Sequence, residues 1–387
     1  MSKCRPHQHT GRKSARILPF LLLLSACFFA CQFAPELGAD DPMHSEQSGV
    51  LLPPASEFPT ANESTSATEG KLPPADDPPP AAQNMYSPLT GLPVDDALAT
   101  SRPLAVCIGN TSAGFPQYGV GDAEILFEAP VEGGSTRLML MTCNYANIPC
   151  FGSVRSTRDY LITLAKSFDA ISAFAGTADV KESAPYNTGD SLDYISQNMK
   201  ETFFRDTKRQ SPHNLMTSGK LLSLSIEDCG YRTQIGASSL PYGIASSPAN
   251  ATKGTKSATR IELPFSSIHK VLFTYDADGG RYVRYQNGTA HTDGYTQKQL
   301  SFTNLIVLSV DSVAKNNAYG EPTLSIDTES GGEGIYIHNG KAVDINWQNQ
   351  NGKLVFKDKQ GAALTVAPGK TYIALYRNAS LLPYRVE

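Results

Sequence analysis

Three short stretches of this 387-residue chain concentrate the side chains that catalyse or bind. The first, Glu128-Ala-Pro-Val-Glu132-Gly-Gly-Ser-Thr136-Arg137, sets two carboxylates and a guanidinium around one strand–turn–strand. Paired carboxylates divide acid and base duties when their surroundings separate their pKa values. The plainer role for Glu128 and Glu132 is to cap turns or to pair with an arginine. The second stretch, Gly152-Ser-Val-Arg155-Ser156-Thr157-Arg158, puts Arg155 and Arg158 beside Ser156, the expected N-cap of a helix. Free N–H groups and the positive dipole end attract anions at such a place. Two basic side chains disfavour a helix start, so negative charge is expected from Glu128, from Glu132, or from a ligand carboxylate or phosphate. The third stretch, Arg205-Asp206-Thr-Lys208-Arg209-Gln-Ser-Pro212-His213-Asn214, brings a histidine near two arginines and an amide, and histidine titrates close to neutral pH. The candidate acid–base residues are therefore Glu128, Glu132 and His213. The candidate ligand-binding residues are Arg137, Arg155, Ser156, Arg158, Arg209 and Asn214.

Stepping outward, hydrophobic period places these residues on elements. Leu104–Ile108, Ile125–Ala129, Arg137–Thr142 and Ala170–Ala175 read as buried strands. Tyr160, Leu161, Leu164 and Phe168 share one helical face behind Ser156, with Asp159 completing a capping-box-like start. Helical patches are expected over Ala178–Ser183 and Asp190–Asn198, and a longer helix from Ser218 to Asp228, stopped by Gly230. Residues 85–232 thus read as an α/β domain with a mixed sheet. A Ser-, Ala-, Gly- and Pro-rich connection follows over 233–258. The period is mostly two over 259–387, with strands expected at Val271–Tyr275, Arg281–Gln286, Phe302–Val310, Gly334–His338, Ala342–Trp347, Leu354–Lys357 and Thr371–Tyr376. Asn287-Gly288 and Asn339-Gly340 are hairpin signals, so this is a β-rich second domain.

The N-terminal end supplies an address. Residues 1–26 carry five basic groups and no acidic one, and the apolar run Ile17–Ala26 is ten residues long, half of the roughly 20 that span a bilayer core. Leu24-Ser25-Ala26-Cys27 resembles the lipobox of bacterial lipoproteins, which implies cleavage before Cys27, lipidation of its thiol and attachment to the outer face of the membrane. The alternative is an ordinary secretory signal cut near Ala26 or Ala30. Residues 27–84 then form an acidic tether: positions 28–83 hold ten prolines, nine acids and one base, with no apolar period to bury. As a flexible coil it reaches roughly 40 Å. Removing the signal leaves 28 Lys+Arg against 37 Asp+Glu, whereas Tyr86 onward is nearly neutral. That balance argues against a general nucleic-acid binder, which needs a basic surface. Of the seven cysteines, Cys143 and Cys150 bracket a loop and are a disulfide candidate outside the cytoplasm, the alternative being separate buried thiols. The scattered histidines and the lack of a paired C-x-x-C spacing point to no metal, and no cofactor is expected. Walker, H-E-x-x-H and G-x-S-x-G signatures are all missing.

A resemblance joins these pieces. Ser87-Pro-Leu-Thr-Gly-Leu-Pro93, Arg102-Pro-Leu-Ala-Val, Glu132-Gly-Gly-Ser-Thr-Arg137, Gly152–Arg158 and Ser211-Pro-His-Asn214 are similar, in this order, to the YerB-like lipoprotein family (domain of unknown function DUF3048). Gly334-Ile-Tyr-Ile, Gly340-Lys-Ala-Val-Asp-Ile-Asn-Trp347 and Pro368-Gly-Lys-Thr-Tyr372 resemble its second domain. Where the family pattern often has an Asp after the first strand, this chain has Gly109 followed by Asn110. The resemblance implies two domains and an envelope location, and brings no reaction or cofactor. Three functions are compatible with the sequence. The protein binds an anionic ligand, a wall polymer or an envelope protein; or it is a hydrolase or lyase on a cell-wall polymer using Glu128 or Glu132 with His213; or it is a scaffold whose Arg–Glu cluster only holds the domain together.

Overall fold

The computed structural model describes residues 85–177, 189–197, 199–236, 242–317, 320–378 and 383–387. The signal-like segment, Cys27, the tether and the helical patch expected over 178–183 lie outside the described residues. Among those described, no helix is long and apolar enough to cross a membrane.

The first segment supplies strands β1 (Leu104–Gly109), β2 (Ile125–Pro130), β3 (Thr136–Thr142), β4 (Ile171–Phe174) and β5 (Ser191–Asp193), and helices α1 (Asp159–Ser167) and α2 (Gly219–Asp228). The second supplies β6 (Arg260–Pro264), β7 (Lys270–Asp276), β8 (Arg281–Gln286), β9 (Asn304–Val310), β10 (Ser312–Asn316), β11 (Pro322–Ile326), β12 (Gly332–His338), β13 (Lys341–Gln350), β14 (Lys353–Asp358) and β15 (Thr371–Arg377). Strand therefore dominates, and among the described residues the α/β character expected of residues 85–232 rests on these two helices and one helical turn at Asp96–Ala99. Asn287-Gly288 and Asn339-Gly340 both take positive φ and close two-residue turns between Gln286 and Thr289 and between His338 and Lys341, the geometry that type I′ hairpins require.

One eleven-stranded sheet runs through both segments in the order β13-β12-β9-β15-β2-β3-β1-β4-β5, with β14 and the short strand Lys256–Ser257 both on β13. Strands of the two segments pair with one another in this sheet. Strand β15 lies parallel between β9 and β2, with Ala374 opposite Glu128, so the described parts of both segments meet in one sheet. Strands β9, β15, β2, β1, β4 and β5 all run the same way and β3 runs against them.

Successive side chains alternate across the sheet. On one face Cys107, Phe127 and Met139 pack with Leu161 and Leu164 of α1 and with Phe168 just after it. On the other, Val106, Leu126 and Leu305 pack with Ile261, Phe273 and Tyr282 of the β6–β8 layer. The helix expected over 190–198 is instead β5 and a turn. Leu192 is buried beside Ala173, and the Asp193 carboxylate accepts from the N–H groups of Gly176, Ile195 and Ser196, local bonds that compete with a helix.

Candidate functional site

Alternation separates the two glutamates. Glu128, on β2, faces the β6–β8 layer at 0% exposure. Its Oε1 accepts from Thr136 Oγ1 at 2.7 Å and Asn110 Nδ2 at 3.0 Å and lies 2.8 Å from His269 Nε2. Its Oε2 accepts from Arg284 Nη2 at 2.6 Å and Tyr372 OH at 2.8 Å. Burial pushes the carboxyl pKa up, but the Arg284 charge, the His269 bond and the Thr136 bond outweigh it and hold the group well below the usual range. Every acceptor direction is occupied, so Glu128 has neither room nor a free lone pair for a substrate. His269 and Arg284 were not singled out by sequence. The readable signal was Arg284 and Gln286 following Tyr282 at period two, all three on the buried face of β8.

Glu132 follows β2 in the turn before β3, and its carboxylate belongs to Arg158 at the start of α1. Arg158 Nε donates to Oε1 at 3.1 Å and Nη2 to Oε2, a bidentate fork. Oε1 also accepts from the Leu324 N–H of β11 at 2.9 Å, so Glu132 pins the β10–β11 hairpin to α1. The Glu132 pKa is raised by burial and brought below its ordinary value by Arg158. Glu132→Gln is expected to weaken the hairpin's attachment by about 1–2 kcal/mol, seen as faster amide exchange confined to residues 312–326.

Arg137 is different. It projects from the start of β3 on the α1 face, is 7% exposed, and its Nε has no partner. Among the described residues no carboxylate pairs with it. Burial first, then the charges of Arg158 and Arg155, lower its pKa to about 10. The Cys107 thiol on the same face is pushed up by burial, against a hydrogen bond from Thr157 and the nearby charges of Arg137 and Arg158. Arg155 comes in beside β1. A Cβ added to Gly109 would stand 2.8 Å from Arg155 Cγ, 3.3 Å from Ser153 Oγ and 3.7 Å from Arg137 Nη1. The segment 153–157 crosses the carboxyl ends of β1 and β4, through Gly109 N–H to Ser153 O, Arg155 N–H to Cys107 O, Ala175 N–H to Arg155 O and Thr157 N–H to Gly176 O. Ligands of open parallel sheets bind outside those ends.

The other candidates fall around this group. His213 Nδ1 lies 3.5 Å from Arg155 Nη1 and 3.4 Å from Thr111 Oγ1, so the histidine touches the arginine cluster and not Glu128. Ser156 is not the helix cap. The cap position is Arg158, with no side-chain cap bond, and Ser156 Oγ donates to Ala175 O at 2.8 Å. Arg209 donates to the carbonyls of Gly114 and Pro116 and lies 5.0 Å over the Tyr118 ring. Asn214 Oδ1 accepts from Arg205 Nη1 at 2.8 Å. Arg209 and Asn214 thus hold loops. Ser153, Thr157 and Cys107 join the cluster without any sequence signal beyond their place next to Arg155 and Gly109.

The disulfide candidate is corrected: Cys143 and Cys150 are free and buried. Cys143 Sγ donates to Ser101 O, and burial raises the thiol pKa of Cys150 to about 12 and that of Cys143 further. Both are expected to resist maleimide in the folded chain at neutral pH and to label fully in urea without reductant, read by peptide mass. A pair that stays unlabelled until reduced contradicts the free thiols.

These features define a protein built on one large mixed sheet, with a buried polar tie on one face and a cluster of guanidinium groups at the strand ends on the other. Residues 89–232 match the N-terminal domain, and residues 261–373 the C-terminal domain, of the protein family of unknown function DUF3048. The chain belongs to that family. It is 28% identical over 302 residues to the "Putative lipoprotein YerB" of Bacillus subtilis strain 168, covering 76% of this chain and 87% of the relative. The crystal structure of the YerB protein from Bacillus subtilis superposes with a TM-score of 0.67 at 26% identity, over 78% of this chain and 99% of that one.

Proposed function

We propose that the protein is a lipid-anchored lipoprotein on the outer face of the bacterial membrane, whose folded part binds an anionic ligand through Arg137 with Arg155 and Arg158 beside it. The lipobox-like Leu24–Cys27, the tether and the name of the Bacillus relative support the anchor. One observation carries the binding reading: Arg137 is buried with its Nε unpartnered and two more guanidinium groups close by. A buried cation without a counter-ion is costly, and a fold keeps such a group where a ligand supplies the missing charge. Catalysis on a wall polymer has less support, because Glu128 is saturated on the opposite face and Glu132 is committed to Arg158. The test is thermal melting of the full chain against phosphate and sulfate at constant ionic strength. Anion binding raises the melting temperature with concentration by mass action, and Arg137→Met abolishes the rise. A wild-type melting curve indifferent to every anion overturns the reading.

A further inference from the structure

We infer that the cavity at the amino ends of β2 and β15 binds a free α-amino acid with an apolar side chain, its carboxylate on Lys370 and its ammonium on Asp122. The inference goes beyond the anion reading, because this cavity reaches the end of β3 at Thr142, whereas Arg137 stands at the start of that strand.

Two of the stretches that carry the family resemblance meet here. Ser87–Pro93 turns back on itself, with the Gly91 N–H donating to Ser87 O, and the Gly369 N–H of Pro368–Tyr372 donates to Thr90 O. The segment just before β2 joins them, through the Thr371 N–H to Glu124 O bond. Together they line a cavity of about 310 Å³, at the small end of the range for ligand pockets, roughly 300–1,000 Å³. Leu92, Val94, Leu98 and Ile148 supply apolar lining, and Leu92 stays 43% exposed, so the fold itself does not cover it.

Three charged side chains line the same space: Asp122, Glu124 and Lys370. Glu124 is already used, because its carboxylate accepts from Ser87 Oγ, Thr142 Oγ1 and the Cys143 N–H. The other two are not. Among the described residues the Lys370 ammonium donates only to Gly121 O, at 2.6 Å, and Asp122 and Lys370 act on each other through charge alone, without a bond between them. Burial pushes the Asp122 carboxyl pKa up and the Lys370 ammonium pKa down, and the charge of each only partly offsets this in the other.

Opposite charges that share a cavity without pairing select ligands by sign. A bare anion gains Lys370 but is brought against two carboxylates, and a bare cation leaves Lys370 desolvated and repelled. An uncharged ligand takes water from both groups and returns nothing. A zwitterion supplies the missing partner to each. In an α-amino acid both charges sit on one carbon, which leaves the side chain for the apolar lining.

The test is calorimetric titration of the full chain with L-leucine, glycine, L-leucinamide and N-acetyl-L-leucine. Leucine is expected to bind. Glycine lacks the side chain, leucinamide the carboxylate and N-acetyl-leucine the ammonium. Each is expected to bind at least tenfold more weakly, the scale of one buried apolar side chain or one hydrogen bond to a charged group. Lys370→Met is expected to remove the preference for leucine over leucinamide, and Asp122→Asn the preference for leucine over N-acetyl-leucine. Unfolding cannot produce such levelled pairs, and the comparison of four ligands on the wild-type chain stands without either variant. Leucine that does not bind, or any of the three analogues binding as tightly as leucine, overturns the inference and leaves the anion reading at Arg137 untouched.

Discussion

Glu128→Ala is expected to destabilise the folded chain by about 3–5 kcal/mol, the cost of stranding one member of a buried ion pair. For a fold of this size that lowers the melting temperature by roughly 10 °C. The loss comes mainly from Arg284, which is 0% exposed and would keep its charge in the core without a counter-ion. Thr136, Asn110, His269 and Tyr372 lose an acceptor as well. Glu128→Gln keeps the volume and isolates the charge, and is expected to recover only a minor part. Replacing both partners by apolar residues, Glu128→Leu with Arg284→Met, is expected to restore much of the stability, because the desolvation cost of both ions disappears. The pH dependence has a definite sign. The folded-state pKa of Glu128 lies below its unfolded value, so its contribution is complete above the ordinary carboxylate range, near pH 4.3. It is lost as the pH falls through the depressed folded value. Denaturant melts between neutral and acid pH should therefore show a steeper acid loss in the wild type than in Glu128→Gln. Equal slopes would assign the acid sensitivity to other carboxylates.

Arg137→Met is expected to act in the opposite direction and raise the stability of the ligand-free chain by about 1–3 kcal/mol. Methionine keeps an unbranched apolar stem in the same space and removes a cation that burial and two neighbouring guanidinium groups disfavour. The pKa of Arg137, brought down to about 10, means that the cost of the charged form is in full force below that pH. It is relieved as the pH rises through it. A gain in stability joined to the loss of the anion response is the behaviour of a group retained for binding. A melting temperature that falls instead would make Arg137 a structural tie and return the cluster to the scaffold reading.

The two residues differ in how far the sequence disclosed them. Short apolar runs and the Asn-Gly dipeptides were enough to find β1, β2, β3 and the I′ hairpins, because strands buried on both faces are apolar throughout. Alternation says nothing about which strand lies next door, so the insertion of β15 between β9 and β2 was not visible. Pairing partners separated by more than two hundred positions leave no local mark. The same limit misplaced Glu128. Three residues separate it from Glu132, but the turn through Pro130–Gly134 breaks the period between them. One carboxylate enters the β6–β8 side while the other turns back to Arg158. The gathering of Arg137, Arg155 and Arg158 was legible because basic residues at a helix start demand an explanation. The supposed cap was wrong by two positions, since Ser156 bonds to Ala175 O and leaves Arg158 at the helix entrance. Ser153 could not have been found, because isolated hydroxyl residues are common and only its place beside Arg137 at Gly109 distinguishes it.

The position of β15 has a bearing on how the chain is made. The strand that fills the middle of the sheet is Thr371–Arg377, which leaves the ribosome after both of its neighbours, β2 and β9. Until it arrives, β2 and β9 each present a bare hydrogen-bonding edge, and no long-lived native half-molecule can close. Contacts this distant in sequence slow folding. Truncation anywhere before residue 371 removes the keystone strand, leaving two sticky rims that invite aggregation.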